Sequence, residues 1–359
     1  MKKSSFYLFL LFCLLFGGMA AVSSCSDNDD DKAPQVNADK AQLTALIDSV
    51  NVGYSAAVEG TKPGSYAAGS KATLKTSIDL ATTTKNDAAA TQAAVNTAVA
   101  NLRRAVTAFK NSLIQEVSAA NLLAQYKFTG NANDATPNAN NGVLKVGKIG
   151  PATAPVDGTT LPVLVADRFG RAGQAYEFAG GGYIEVPYKA ALNPQALTLS
   201  VWCKRNDTNA DNYLLSLNRW TGYKFQLQGD NKPFLTVTTT STTADRDADS
   251  GIVPVNVWTH VASSYVDGTM KFYINGALVK TWTNVAGAIK AVPEPVALSI
   301  GQQLPSNIYN KVPAAGQPAD YFQYYGPAFF KGQMDDIRIY NRALTDAEVQ
   351  SIFTIESTL

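Results

Sequence analysis

The sequence contains few of the residues that redox or metal chemistry needs. Its 359 residues include three cysteines and one histidine. Two of the cysteines, Cys13 and Cys25, lie in the N-terminal segment, which leaves Cys203 without a disulfide partner in the rest of the chain. This scarcity excludes a cysteine-based metal cluster. Cys203 lies in an alternating apolar run, which predicts a small, buried hydrophobic side chain.

A strong net charge is also missing. The formal charge is +1 for the whole chain, and removal of Lys2 and Lys3 with a leader peptide takes it to −1. A chain this close to neutral does not indicate a nucleic-acid partner, and we expect none. After the leader, no stretch is long and apolar enough to cross a bilayer. The remaining length corresponds to two or three domains.

Residues 1–24 have the layout of a secretory signal. Lys2 and Lys3 precede an apolar run, and small residues follow up to Cys25. This ending resembles a bacterial lipobox, and the resemblance implies that Cys25 becomes the lipidated first residue of the mature protein. The acidic segment 25–38 indicates a flexible tether and resembles the surface-export signal of lipoproteins in the Bacteroides group. We therefore predict a lipid-anchored protein of the outer membrane that faces the cell exterior.

Two simpler interpretations of this segment stay open. The leader could be an ordinary cleaved signal peptide in which Cys25 is incidental. The acidic run over residues 27–31 could be no more than a solvated spacer.

Apolar residues recur at helical spacing in segment 39–116 and predict three helices joined by short loops. We expect one apolar face from Leu43 to Val58, an N-cap at Ser70 and a third helix from near Thr91. The segment resembles the FIVAR-like helical modules of bacterial surface proteins, on its Gly-Ser-Tyr turn at 64–66 and the spacing of its third helix. It is either a spacer, which we favour, or a sugar-binding unit.

From about residue 121 the apolar period changes to two, which predicts β-strands. In the run 197–203, Leu197 and Cys203 share one face and Trp202 lies on the other. Asp267-Gly268 and Asn275-Gly276 are turns of the kind that join hairpin strands. Many short strands over this length predict an all-β sandwich in one domain.

Four local patterns occur in a fixed order over residues 121–356. They are Tyr126-Lys127-Phe128 with Asn141-Gly142, Gly173 to Phe178 with Tyr183 to Val186, Trp258 to Ala262 with Tyr265 to Gly276, and Gly332 to Thr345. Together they resemble laminin G-like, concanavalin A-like jelly-roll domains. The resemblance implies a mainly β fold for 121–359, a concanavalin A-like jelly-roll β-sandwich preceded by the small three-helix bundle.

Some jelly rolls of this class hydrolyse β-glucans with paired carboxylates on one strand, at a spacing like Glu-x-Asp-x-x-Glu. No such run occurs here, and Glu177 and Glu185 are separated by a Gly-rich turn. The one histidine, His260, lies in a predicted strand without a second ligand or base partner and is expected to be structural. We therefore predict that the protein is not an enzyme, with glycan hydrolysis as a less favoured alternative.

Many laminin G-like domains hold calcium, and the resemblance implies a possible ion here. Calcium takes oxygen ligands, and the Asn/Asp-rich loop 133–141 follows the first strand. Since the first and last strands lie near each other in such folds, we predict Asp134, Asn141 and Asp335 as ligands. The alternative is that these residues only form turns.

Sugar binding needs exposed aromatic faces with polar groups at their rim. The stretch 302–332 is rich in aromatics and predicts a long loop, of the kind that often carries function. We predict Tyr321, Tyr324 and Tyr325 as ligand-binding residues, with Trp220 as a second candidate. The alternative is that these rings pin their loops to the sandwich.

The resemblance and the predicted location at the outer membrane together imply non-catalytic binding of a carbohydrate or glycoconjugate at the cell surface. The main alternative is an adhesion module for a protein partner. We expect a monomer that meets the membrane only through its lipid.

Overall fold

The structure, a computed structural model, describes residues 38–151, 154–208, 212–218, 221–228, 230–309 and 326–358. It consists of an N-terminal helical bundle followed by two antiparallel sheets packed face to face. This architecture confirms the predicted fold class. In these described ranges, no helix has the length and apolar character that a membrane span requires.

Three helices form the bundle: α1 (Ala41–Ala56), α2 (Ser70–Asn86) and α3 (Gln92–Asn111). Their buried apolar residues form one core, as the helical spacing predicted. The Thr91 hydroxyl accepts a hydrogen bond from the Ala94 amide at 3.2 Å and caps α3. The prediction for α2 was wrong by one residue: its N-cap is Gly69, at φ 81°, and Ser70 is the first helical residue. Val58 lies beyond the end of α1 and is exposed.

One end of the bundle is fixed to the β-domain. Tyr66 stacks on Phe109 with ring centroids 4.2 Å apart and pairs through its backbone with Glu59 and Leu113. Further along the connector, the Gln115 amide donates to the Ser351 hydroxyl of the C-terminal helix at 3.0 Å. The bundle and the β-domain are therefore in direct contact.

Among the described residues after the bundle, short strands occur together with two α-helices, α4 (Ser306–Tyr309) and α5 (Asp346–Glu356), and two short 3-10 turns at Ala119–Asn121 and Ala190–Leu192. The strands are β1 Leu122–Tyr126, β2 Val143–Val146, β3 Lys148–Ile149, β4 Val156–Asp157, β5 Val163–Val165, β6 Ala175–Phe178, β7 Gly182–Val186, β8 Leu197–Arg205, β9 Asn212–Leu217, β10 Tyr223–Leu227, β11 Pro233–Thr238, β12 Thr243–Asp247, β13 Thr259–Val266, β14 Gly268–Ile274, β15 Ala277–Val285, β16 Leu298–Ile300 and β17 Gly332–Tyr340.

The strands form an eight-stranded sheet, a seven-stranded sheet and a separate two-stranded pair of β3 and β4. The first has the order β15-β14-β13-β8-β17-β6-β5, with β1 also paired to β17, and the second has the order β12-β11-β10-β9-β16-β7-β2. The hairpin between β14 and β15 turns at Asn275 and Gly276, which have φ values of 48° and 74°. Positive φ at both positions is what a tight hairpin turn requires, so the Asn-Gly prediction is confirmed.

Alternation along each strand builds the core between the sheets. In β8, Leu199, Val201 and Cys203 point inward and are fully buried, as predicted. Burial also raises the pKa of the Cys203 thiol to about 12, so it stays protonated. Trp202 points to the opposite side, where Phe353 of α5 stacks on it with ring centroids 5.6 Å apart. The outer face of the eight-stranded sheet, covered by α5, is called the helix-covered face below.

Candidate functional site

The outer face of the seven-stranded sheet carries polar side chains and is called the polar face here. Six residues that are directly opposite one another on neighbouring strands form a row across it. Because strand neighbours share a face when they are in register, all six side chains lie on the same side. In order across the sheet they are Glu185, Ser299, Ser216, Lys224, Thr236 and Asp245.

The centre of this row is buried and incompletely bonded. Ser216 and Ser299 are 0 % exposed, and neither hydroxyl has a hydrogen-bond partner among the described residues. Glu185 is half-buried at one end of the row and Asp245 is exposed at the other. Buried hydroxyls in folded proteins are nearly always bonded to protein or to an ordered small molecule. Two adjacent exceptions mark the centre of the row as a part of this face where hydrogen bonding is incomplete.

A hydrogen-bonded network borders the row on the β7 side. The Tyr183 hydroxyl donates to Glu185 Oε2 at 2.6 Å and accepts from the Ser306 amide at 3.1 Å. Burial raises the pKa of Tyr183 to about 12, and its hydrogen bond to Glu185 adds to the rise. The phenol is therefore a permanent donor, and it holds the carboxylate in one position.

A second network borders the row on the β10 side. Lys224 Nζ lies 2.9 Å from Gln226 Oε1 and 4.8 Å from the ring centroid of Phe234. Gln303 donates to the Tyr213 hydroxyl at 2.9 Å and accepts from the Tyr309 hydroxyl at 2.9 Å. The face thus combines amide, ammonium, carboxylate and hydroxyl groups with aromatic rings, which is the chemistry that binds sugar hydroxyls and sugar C–H surfaces.

The two carboxylates of the row are far apart. Five strand-to-strand steps separate Glu185 from Asp245, or about 24 Å at the usual strand spacing. Glycosidase carboxylates lie about 5 to 9.5 Å apart. These two residues cannot act together on one glycosidic bond.

A separate group of charged residues lies under α5 on the helix-covered face. Arg168 forms ion pairs with Asp335 and Asp336, and Arg338 Nε lies 2.6 Å from Glu356 Oε1. Trp202 Nε1 donates to Glu356 Oε2 at 2.8 Å. The side chains of Arg168, Asp335 and Glu356 are 4 %, 3 % and 0 % exposed.

This buried charge cluster contains three carboxyl groups and two guanidinium groups. Burial raises the pKa of Asp335 to about 8, and the neighbouring Asp336 charge adds to the rise. Burial likewise raises the pKa of Glu356 to about 7. Raised carboxyl pKa values also occur in active sites, but these groups are closed off beneath α5. Their role is to hold the C-terminal helix on the sheet.

His260 belongs to the same closed region. Its Nε2 lies 2.8 Å from the Ser200 hydroxyl, and the residue is 0 % exposed. Burial lowers the pKa of His260 to about 3, with the charges of Arg338 and Arg168 adding to the effect. The imidazole is neutral at physiological pH, which agrees with the structural role expected for it.

The predicted calcium ligands have other contacts. Asp134 Oδ1 accepts from the amides of Gln125 and Thr136, both at 2.9 Å, and Oδ2 accepts from the Asn140 amide at 2.9 Å. Asn141 Oδ1 accepts from the Asp134 amide at 3.1 Å. Because N–H donors point at these oxygens, they organise the loop after β1.

Asp335, the third predicted ligand, pairs with Arg168 and accepts from the Asp336 amide at 2.8 Å. Within the described ranges, no group of three or more His, Cys, Asp or Glu side chains is placed to hold a metal ion. The residues present therefore do not fit calcium, which would meet amide and guanidinium donors where it needs free oxygens. Calcium has no part in the function proposed below.

The other predicted site residues lie outside the described residues: Trp220, Tyr321, Tyr324, Tyr325 and the lipidation residue Cys25. The sequence interpretation did not single out Ser216, Ser299 or Lys224. One available signal was the alternation in β10, where Lys224 and Gln226 interrupt the apolar residues that face the core.

Comparison with known proteins gives a family match within the β-domain. Residues 178–307 match a laminin G-type family model, described as the concanavalin A-like lectin/glucanases superfamily. The β-domain has a concanavalin A-like fold. The matched segment includes β7 to β16, so all six residues of the polar row lie within it. No curated protein matches the chain.

Several solved structures are similar to the chain. Domain 4 of AbnA, an extracellular GH43 arabinanase from Geobacillus stearothermophilus in complex with arabinotriose, is 22 % identical with a TM-score of 0.47; 65 % of this chain and 98 % of that chain are covered. A SAP-like pentraxin from Limulus polyphemus is 20 % identical with a TM-score of 0.32, over 45 % of this chain and 70 % of that one. The binding domain of botulinum neurotoxin DC in complex with SialylT is 13 % identical with a TM-score of 0.44, over 66 % of this chain and 51 % of the toxin chain. The chain thus spans about half the length of that toxin chain.

Proposed function

We propose that this protein binds carbohydrate without catalysis, through the polar face of its concanavalin A-like domain. The observation that carries the proposal is the pair of buried hydroxyls of Ser216 and Ser299, which lack a partner among the described residues and lie at the centre of the polar row. The hydroxyl groups of a sugar both donate and accept hydrogen bonds, so a sugar can supply a partner to each serine hydroxyl. Glu185 and Gln226 add an acceptor and an amide on either side.

The wide separation of Glu185 and Asp245 supports binding over hydrolysis, because no acid/base pair can form between them. The polar side chains also differ from a protein-binding surface in being recessed, since the central members of the row are fully buried. The ligand in this proposal is a neutral or weakly charged glycan.

The proposal includes the predicted location, a lipid anchor at the outer membrane with the chain facing the cell exterior. Lipidation at Cys25, the tether 25–38 and the bundle 39–116 would hold the domain away from the outer membrane and towards glycans outside the cell. Labelled palmitate should enter the wild-type chain and not Cys25→Ala, and protease added to intact cells should degrade the protein. Absence of label in the wild-type chain would contradict the lipid anchor.

The alternative function, adhesion to a protein, has one observation in its favour. Exposed apolar side chains recur in β2, β4 and β5 and just before β5; they are Val143, Val146, Val156, Leu161 and Val163. Grouped apolar exposure is typical of protein-binding surfaces.

A glycan array followed by calorimetry tests the main proposal. The full mature chain should bind at least one glycan, and the double variant Ser216→Ala/Ser299→Ala should bind it roughly tenfold more weakly. The matched control is Ser200→Ala, a buried serine on the helix-covered face, which should leave affinity unchanged. The alternative, adhesion to a protein, would be favoured by two results together. The chain would bind no glycan on the array, and it would bind matrix proteins in a way that the Val156→Asp/Val163→Asp variant does not.

A further inference from the structure

A cavity of about 270 Å³ lies where the helical bundle meets the β-domain. Its walls come from the connector between α3 and β1, from the paired strands β1 and β17, and from α5, with Pro63 of the bundle at one side. All of its lining residues belong to the described ranges. Pockets for drug-sized ligands usually measure about 300 to 1,000 Å³, so this cavity suits a smaller molecule.

Two polar side chains from neighbouring strands line the cavity. Gln125 of β1 and Arg338 of β17 are register partners, and cross-strand partners place their side chains on the same face of a sheet. Arg338 is held in position, because its Nε lies 2.6 Å from Glu356 Oε1 and its Nη1 lies 3.4 Å from the Tyr340 hydroxyl. Its Nη2 has no hydrogen-bond partner among the described residues. A fixed guanidinium with an unused N–H edge is suited to a carboxylate.

The same cavity has a lining residue of opposite charge. Glu116 of the connector is exposed and forms no ion pair or hydrogen bond with another described residue. The cavity therefore presents a cation, Arg338, and an anion, Glu116, that are not paired with each other. Most of the remaining wall is apolar and includes Val117, Leu122, Ile352 and Ile355. A molecule that matches these features carries one negative charge, one positive charge and an apolar group.

We propose that this cavity binds a small zwitterion, a free α-amino acid with an apolar side chain. The ligand carboxylate accepts hydrogen bonds from Arg338 Nη2 and the Gln125 amide, and the ligand ammonium group pairs with Glu116. The apolar side chain of the ligand packs against the wall formed by β1 and α5. A neutral sugar would leave both protein charges unmatched, and a dicarboxylate would be repelled by Glu116.

The cavity is separate from the polar face. Its strands belong to the eight-stranded sheet, whereas the polar row lies on the seven-stranded sheet. Glycan binding and amino acid binding can therefore fail independently of each other.

The test titrates L-leucine into the full mature chain and follows the heat of binding and thermal unfolding. The wild-type chain should bind it saturably, with a rise in Tm. Leucinamide lacks the carboxylate and N-acetylleucine lacks the ammonium group. Each should bind roughly tenfold more weakly than leucine, because each leaves one charge of the cavity unmatched.

Variants on the connector test the site without disturbing the bond between Arg338 and Glu356. Glu116→Gln should reduce the preference for leucine over N-acetylleucine by roughly tenfold, whereas a purely structural Glu116 would leave that preference unchanged. Ala119→Trp places a large ring in the cavity from an exposed position and should abolish binding. The matched control is Ala120→Trp, at the next exposed position, which does not line the cavity and should keep wild-type affinity.

Three results would overturn the proposal. One is the absence of binding for leucine, isoleucine and phenylalanine alike. Another is equal affinity of the wild-type chain for leucine, leucinamide and N-acetylleucine. The third is tighter binding of the dipeptide alanyl-leucine than of leucine, because the cavity would then belong to a peptide C-terminus.

Discussion

The two outer faces of the sandwich both bury polar side chains, but the hydrogen-bond partners of those side chains differ between the faces. On the helix-covered face, Ser200 bonds to His260 and Glu356 accepts from two donors. On the polar face, Ser216 and Ser299 are equally buried and have no partner within the described part of the chain. Burial alone therefore does not separate structure from function in this domain. Hydrogen bonding is incomplete on both faces, since His260 Nδ1 on the helix-covered face also lacks a partner among the described residues. The polar face differs in that its unpaired groups are two adjacent hydroxyls.

The buried charge cluster should show the largest effect. Arg168→Met removes the buried guanidinium that bonds to the Asp335 and Asp336 carboxyl groups and should lower the free energy of unfolding by about 3 to 5 kcal/mol. The control Lys271→Met breaks an exposed pair with Asp346 and should cost at most about 1 kcal/mol. Urea unfolding measures both. Equal losses would show that the helix-covered face is not held by its buried charges.

The pH dependence of stability should report the same cluster. The folded pKa values of Asp335 and Glu356 are raised to about 8 and about 7, so the folded chain keeps protons that the unfolded chain releases. The free energy of unfolding should then fall as pH rises from about 4 to about 8 and level off above. Melting curves across this range, compared with Asp335→Asn, measure the effect. A variant with the same slope as wild type would assign the pH dependence elsewhere.

Serine substitutions compare the two faces directly. Ser200→Ala leaves His260 Nε2 unpaired in the interior and should cost about 1 to 2 kcal/mol. Ser216→Ala removes a hydroxyl that bonds to none of the described residues and should change stability by less than about 0.5 kcal/mol. Chemical unfolding measures both variants. A larger loss of stability for Ser216→Ala than for Ser200→Ala would contradict the proposed difference between the two faces.

The smallest expected effect concerns the start of the helix that closes one face. Thr345 and Glu348 form a capping box at the start of α5, so Thr345→Ala should destabilise the domain by about 1 kcal/mol. Thr354→Ala, further along the same helix, should change stability by less than about 0.5 kcal/mol. Thermal unfolding distinguishes them, and equal stabilities would mean that packing alone holds α5.

Much of the fold was predictable because it depends on short-range patterns. Alternation placed Cys203 inside and Trp202 outside. The capping box at the start of α5 is likewise a local pattern, a Thr three residues before a Glu. The misassigned cap at Ser70 shows the limit of such patterns. Glycine at 69 adopts a left-handed conformation there, which ends the preceding turn without any side-chain hydrogen bond.

The candidate site was much less predictable, because it depends on register between strands distant in sequence. Ser216 and Ser299 are 83 positions apart, yet they are cross-strand neighbours. Nothing in either local sequence marks the pairing, since a serine on the outer face of a strand is ordinary. The calcium prediction did not fit for a related reason. Asp134 looked like a ligand in a polar loop, but the folded backbone turns its own amides towards that carboxylate.

The pairing of β1 with β17 has a mechanical consequence. A pull from the N-terminal side meets the contact between Gln115 and Ser351 and then β1. The β1 strand is paired with β17 at four register positions, from Leu122 with Tyr340 to Tyr126 with Ile337. A pull along the strand axis loads these pairs together in shear, whereas a pull across it opens them one at a time. The proposed ligand face lies on the other sheet, so tension between an anchor and a captured glycan would have to pass through the whole thickness of the core. The direction of that tension would decide whether the β1–β17 pairs resist it together or separate one after another.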